Sequence, residues 1–326
     1  VRKYLLLFAL AALWAPSFLL IKIAVEHGMP PVSLATFRVS IGALAMWLVL
    51  RARGGRLPRD RASWKRMAPM GFLATALPFI LFSWGEQHAD SGLAAILNGT
   101  TPIFTVLIAH LLLADERLSG RKVFGLGLGF AGIALTFWPR IGQGEAGGDP
   151  LAVVGLSAFT VAALCYGYST VYARRNLMSM PPLVAPTMQL IVASGFMLPA
   201  AFGLERPLAA RPDALAVGSV IFLGLAGTAL AYVTFYALIS LAGATFASLV
   251  TYVLPPAGIA LGMLVLGEEP GWQAVVGSGL IILGVLVISL RRRKPSPPLV
   301  PPPAGSLPAE SPPPDASLPP SGPHRL

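Results

Sequence analysis

From one end to the other, the chain alternates long apolar runs with short breaks made of Gly, Pro or charge. Ten runs stand out, at about residues 4–25, 33–50, 67–84, 92–113, 122–138, 151–172, 183–203, 214–239, 245–266 and 272–290. Each approaches the ~20 residues, roughly 30 Å of helix, that cross the hydrocarbon core of a bilayer. The pattern predicts an all-α membrane protein of ten transmembrane helices. The third run is the least regular, because Pro69 and Pro78 interrupt it. After Lys294 the apolar pattern stops. The stretch "PSPPLVPPPAGSLPAESPPPDASLPPSGPHRL" is Pro-rich and low in complexity, and it is expected to be a disordered tail.

Composition sharpens this picture. Of 326 residues, 55% are hydrophobic and 12% charged, against about 25% charged in soluble proteins, and the mean hydropathy is +0.71. A net charge of +10 would ordinarily raise nucleic acid as a partner. Here the basic residues sit in short runs between apolar segments. With the N-terminus in the cytoplasm, eighteen Lys and Arg fall on the inner side, while only Arg140, Arg206 and Arg211 fall outside. Positive charge is retained on the cytoplasmic side of membrane proteins, so both termini are expected to be cytoplasmic and no nucleic-acid partner is needed. Trp84, Trp138 and Trp272 then lie at outer helix ends and Trp64 in an inner loop, as interfacial anchors do. The opening Val1-Arg2-Lys3 resembles the start of a signal peptide, but the run from Tyr4 to Val25 exceeds the ~7–15 residues of a signal core, so a retained first helix is expected. Cys165 is the one cysteine and the four histidines are scattered. Neither a disulfide, a metal site nor a cofactor is expected.

An internal echo gives the chain its organisation. A shift of 153 residues carries Ala94 onto Ala247, Pro102 onto Pro255, Leu111 onto Leu264, Leu113 onto Leu266 and Glu116 onto Glu269. After one deleted residue, Gly125, Gly127, Leu128 and Gly132 meet Gly277, Gly279, Leu280 and Gly284. The order of proline, terminal acid and glycine-rich helix reads as a duplication. A five-helix unit is odd, so its second copy enters the membrane upside down. The expected organisation is a first repeat over 4–138, an outer linker over 139–150, a second repeat over 151–290 and a basic stop and tail over 291–326. Inverted repeats of this kind recur in transporters. Pro102 and Pro255 each free a backbone carbonyl, which is tolerated where it faces a cavity or another helix.

The segments "EQHADSGLAAILNGTTPIFTVLIAHLLLADERLSGRKVFGLGLGFAGIAL" and "ATFASLVTYVLPPAGIALGMLVLGEEPGWQAVVGSGLIILGVLVIS" resemble the two EamA domains of the drug/metabolite transporter superfamily. The stretches "ALWAPSFLLIKIAV" and "FRVSIGALAM" are similar to the start of that domain. The resemblance covers about residues 4–290. It implies a ten-helix inner-membrane carrier with a central cavity lined from both halves, in a family that exports or exchanges amino acids, sugars, nucleotide-linked metabolites or drugs.

Polar groups at membrane depth are the candidates for function. All fourteen acids fall at helix ends, in loops or in the tail. Small multidrug carriers of that superfamily use a mid-membrane acid, and its absence argues against proton-driven export of cationic drugs. Lys22 and Arg38 lie near the outer ends of the first two helices. They either snorkel to the interface or pair with Glu86 or Asp90 as a structural or gating charge. The substrate cavity is expected to take Trp14 and Pro16, then Asn98, Thr101 and Pro102, their counterparts Thr251, Tyr252 and Pro255, and the phenols Tyr166 and Tyr232. Asn98 aligns with Thr251, so each proline has a hydrogen-bonding side chain one turn earlier. The glycine runs offer small-residue faces for close helix packing, and no oligomer is required.

The resulting expectation is a secondary carrier in the inner membrane. It moves a small metabolite, an amino acid, sugar or amphipathic compound, by alternating access, as exporter or exchanger. The rival is a membrane channel or sensor without carrier activity. An intramembrane enzyme is disfavoured, because no clustered His and acid set, activated Ser or Cys, or central acid pair is present.

Overall fold

A computed structural model of the protein describes residues 2–113, 118–141, 150–177, 180–181, 183–242 and 250–289. These belong to the first of two compact units, Val1–Ser289. The Pro-rich tail, Asp115 and Glu116 lie outside the described residues, and so do the expectations attached to them.

Among the described residues the regular structure is helical. The chain runs through α1 (Arg2–Trp14), α2 (Pro16–Glu26), α3 (Pro31–Ala52), α4 (Arg61–Gly71), α5 (Leu77–Gly85), α6 (Ser91–Asn98), α7 (Thr101–Leu112) and α8 (Gly120–Ile141). It continues through α9 (Pro150–Asn176), α10 (Val184–Leu204), α11 (Ala214–Gly224), α12 (Ala231–Ala242), α13 (Val250–Leu261) and α14 (Trp272–Ser289). Three π-helical turns, Phe72–Ala76, Leu225–Leu230 and Gly262–Leu266, are inserted between or after these helices. By length and composition, 7 helical stretches are apolar enough to cross a membrane, and Leu254–Leu266 and Trp272–Ile288 are shorter apolar helices.

Local chemistry explains where the helices start and break. Asp60 and Asp213 cap α4 and α11 by accepting the amide hydrogens of Ser63 at 2.7 Å and Ala216 at 2.9 Å, satisfying donors that a first turn leaves orphaned. The bond from Ala216, reinforced by His27, holds the Asp213 carboxyl below the usual carboxylate range. Prolines open α2, α3 and α7, where a missing N–H costs nothing. The first apolar run breaks at Ala15, between Trp14 and Pro16, and the fourth at Gly99–Thr100. Pro102 cannot serve the carbonyl of Asn98. The Thr101 hydroxyl donates to that carbonyl at 2.8 Å, so the break is satisfied internally. Pro69 and Pro78 do not interrupt the third run. They flank a π turn over Phe72–Ala76 that keeps it helical.

Packing follows the small residues. α8 lies against α14 so closely that a Cβ on Gly132 would stand 2.6 Å from the Gly277 carbonyl, and one on Gly284 would stand 2.5 Å from that of Gly125. The helix carrying Pro255 crosses the broken segment α6–α7, with the Pro255 ring 2.9 Å from where a Gly99 Cβ would sit. Further apolar clusters join α3 and α5 to α10, around Val39, Met46, Phe79 and Leu190, and α1 to α12, around Leu10 and Leu238.

Candidate functional site

The first charged side chain that the fold takes out of reach of solvent is Arg38. The middle of α3 is small and apolar, so the helix packs tightly on α10 and α11, and Arg38 goes inward with it at 6% exposure. Its Nε donates to Thr228 Oγ1 at 3.1 Å, and its guanidinium lies 4.4 Å from the centroid of the Phe79 ring on α5, a cation–π geometry. No carboxylate oxygen comes within 4.0 Å of it among the described residues. Of the two expectations for Arg38, snorkelling gives way to a buried side chain, and the ion pair with Glu86 or Asp90 is not formed within 4.0 Å among the described residues.

Opposite Arg38, α10 contributes Gln189. Its amide donates to Thr75 Oγ1 at 2.8 Å, with the Tyr232 hydroxyl at 3.4 Å. Tyr166 packs against the cluster of Phe79 and Leu190 and the Tyr232 hydroxyl meets Gln189, so α3, α5, α9, α10 and α12 converge on one polar centre. Aromatic stacking supports it from below: Phe82 stacks on Tyr166 at 6.3 Å and on Phe159 at 5.5 Å, and Phe18 meets Phe82 edge-on at 5.5 Å.

Two contacts in this centre are related by the spacing of the chain. Thr75 and Thr228 are 153 residues apart, since 228 − 75 = 153, and each sits within a π turn. Arg38 donates to Thr228 and Gln189 donates to Thr75. A π turn displaces a side chain by a fraction of a turn and is common at functional sites; here it brings both threonines to the buried polar partners.

Lys22 reaches Glu86, though not its carboxylate. The ammonium donates to the main-chain carbonyls of Glu86 at 2.8 Å and Ala89 at 3.4 Å, and lies 3.6 Å from Glu26. It thereby caps the carbonyl end of α5, where a cation is favoured. The Glu86 side chain is fully buried, and neither carboxylate oxygen has a hydrogen-bond partner. At the same end of the bundle, Glu268 accepts from Ser91 N at 2.8 Å, Ser91 Oγ at 2.7 Å and Gly92 N at 3.1 Å. Glu205 does the same for α3, accepting from Val32 N at 2.9 Å, Ser33 N at 2.7 Å and Ser33 Oγ at 2.9 Å.

Of the residues expected at the site, Arg38, Tyr166 and Tyr232 come together, with Glu86 within electrostatic reach. Trp14 packs instead on Phe235 at 5.5 Å, Thr101 is spent on Asn98, and Pro16, Asn98 and Pro102 are partly buried. Pro255 is buried against α6, while the side chains of Thr251 and Tyr252 lie outside the described residues. Gln189, Thr75, Thr228 and Phe79 were not anticipated. The glutamine in "TMQLIVASG" was detectable as a polar group deep in an apolar run, but two threonines among many were not.

Comparison with known proteins finds membrane transporters. The pattern of the EamA-like transporter family matches residues 1–138 and 153–290. The chain is 30% identical over 300 residues to the "Probable terminal-alkyne amino-acid exporter" of Streptantibioticus cattleyicolor, covering 87% of this chain and 94% of that protein. It is 25% identical to the "Uncharacterized inner membrane transporter YedA" of Escherichia coli, covering 91% and 94%. It is 23% identical to an "Uncharacterized transporter" of Archaeoglobus fulgidus, covering 89% and 100%. A solved crystal structure superposes with a TM-score of 0.62 at 20% identity, covering 88% of this chain and 96% of that one, a likeness of fold.

Proposed function

The chain belongs to the EamA-like transporter family, and on that premise we propose that it is an inner-membrane secondary carrier for small amphipathic amino acids or similar zwitterions. It works by alternating access between two inverted five-helix repeats, 4–138 and 151–290, within a ten-helix bundle. The observation that carries the substrate class is Arg38. A buried guanidinium without a carboxylate partner is costly, and a substrate carboxylate would complete it with paired charge-assisted hydrogen bonds. Gln189, Tyr166 and Tyr232 supply neutral hydrogen-bonding groups for the rest of the polar head, and Phe79 and Phe82 an apolar wall for the side chain. A family relative named for amino-acid export supports the same class.

The paired contacts Arg38–Thr228 and Gln189–Thr75 support the two-repeat reading, because each links a residue of one half to a π turn of the other. In an inverted pair, exchanging the two contacts in strength exchanges the two faces of the carrier. Trp14, Pro16, Asn98, Thr101 and Pro102 then belong to the helix breaks that bend as the faces exchange, Thr251, Tyr252 and Pro255 to the helix that crosses one of them, and Lys22 to the closure of one end.

The test is counterflow in proteoliposomes loaded in parallel with amino acids, sugars and hydrophobic amines. Saturable exchange of amino acids is expected, and Arg38→Gln raises the half-saturation concentration about ten- to a hundredfold, the value of roughly 1.5–3 kcal/mol for a hydrogen bond to a charged group. Exchange confined to sugars or amines, or an Arg38→Gln protein with wild-type kinetics, overturns the carboxylate reading. Unsaturable flux without counterflow favours the channel.

A further inference from the structure

The carrier mechanism leaves one buried ionisable group unused. Glu86 follows α5 in the connection between Gly85 and Ser91. It is completely enclosed, and both carboxyl oxygens lack a hydrogen-bond partner. The nearest cation is committed elsewhere: Lys22 binds the main-chain oxygens of Glu86 and Ala89 and the carboxylate of Glu26. Arg38 is engaged by Thr228 and Phe79. An ionised carboxylate stripped of water and left without donors costs several kcal/mol or takes up a proton.

The surroundings of Glu86 are those of a group that changes charge. The charged groups facing it are Lys22 from α2, Arg38 from α3 and Glu268 from the segment after the third π turn. On α9, packed on α5, the rings of Phe159 and Tyr166 stack on Phe82, one turn before Glu86. Glu268, whose charge acts on Glu86, also lines a small cleft with Asp90, Gly92 and Ile96.

We infer that Glu86 is a proton-binding site of the carrier, occupied by a proton in this conformation, which encloses it, and emptied in the conformation that exposes it to water, which couples transport to the proton gradient. The coupling rests on the carrier reading above, while the proton site itself does not. Burial pushes the Glu86 carboxyl well above the usual carboxylate range, with Lys22 and Arg38 opposing and Glu268 reinforcing. A carboxyl that binds protons more tightly in this conformation than in the open one makes this conformation more populated as pH falls and less populated as it rises.

Two measurements decide it. The first needs no substrate: infrared difference spectra of the purified full-length protein through a pH titration. A protonated carboxyl C=O band is expected at neutral pH, absent in Glu86→Gln and retained in Glu268→Gln. No such band in the wild type, or an unchanged band in Glu86→Gln, overturns the proton site. The second uses proteoliposomes with an imposed pH difference, in which one coupled proton supports about tenfold substrate accumulation per pH unit. Glu86→Gln should keep counterflow and lose this accumulation. A wild type indifferent to pH but driven by a sodium gradient, or a Glu86→Gln protein still driven by protons, overturns the coupling. A wild type without counterflow of any solute refutes the carrier reading instead, and the infrared result still decides the proton site.

Discussion

Thr75 shows how much one hydroxyl carries in this bundle. Buried within a π turn, it accepts the hydrogen of the Gln189 amide at 2.8 Å, and the alternative acceptor, the Tyr232 hydroxyl, stands at 3.4 Å. Thr75→Val preserves shape and β-branching but leaves a buried amide poorly satisfied, at a cost of about 1–3 kcal/mol. The expected result is a lower thermal unfolding midpoint in detergent, with Thr75→Ser close to wild type. Equal midpoints for Val and Ser would show that the hydroxyl contributes nothing. Arg38 makes the complementary point about reading residues in sequence. Its type was visible, but its place depended on how deeply α3 packs, and packing took it from the expected interface to 6% exposure.

At the scale of elements, the glycines of α8 and α14 set the distance between two helices. Gly132→Ala forces its new methyl against the Gly277 carbonyl and the Ile281 side chain, whereas Gly127→Ala meets nothing within 4 Å. The first is expected to destabilise the protein by about 1–3 kcal/mol through overpacking, and the second to leave the unfolding midpoint unchanged or slightly raised. Similar effects for both would mean that helix propensity, and not close approach, governs this pair. The helix breaks belong to this scale as well. Pro102 announced one in the sequence, and the adjoining threonine repairs it. The π turn at Leu225–Leu230 contains no proline, and only the structure reveals it. Acid caps divide in the same way: Asp60 and Asp213 stand directly before their helices and are readable, but Glu205 and Glu268 cap helices more than 170 residues away in the chain.

For the whole molecule, the charge asymmetry of the loops predicts where each end lies. A reporter enzyme active only outside the cytoplasm, fused after Gly147, should be active, and the same reporter fused after Lys294 should be silent. Activity at Lys294 would invert the topology. Glu205 and Glu268 tie distant segments together on helix N-termini, where each carboxylate meets two amide hydrogens and the helix dipole.

The sequence by itself determined the membrane-spanning helical character, the interval of 153 between similar segments, the family and the chemical identity of Arg38, Tyr166 and Tyr232. These are written in local hydropathy, in punctuation by Gly and Pro, and in residue type, none of which needs distant contacts. Only the tertiary structure decided that Arg38 is buried without an acid, that Gln189 answers Thr75 as Arg38 answers Thr228, that Thr101 is spent on its own backbone, and that Glu86 is sealed without a donor. The reason is physical. In a bundle, the environment of a polar side chain is set by which helices face it and at what depth. That depends on packing between segments far apart in sequence, which local patterns do not encode.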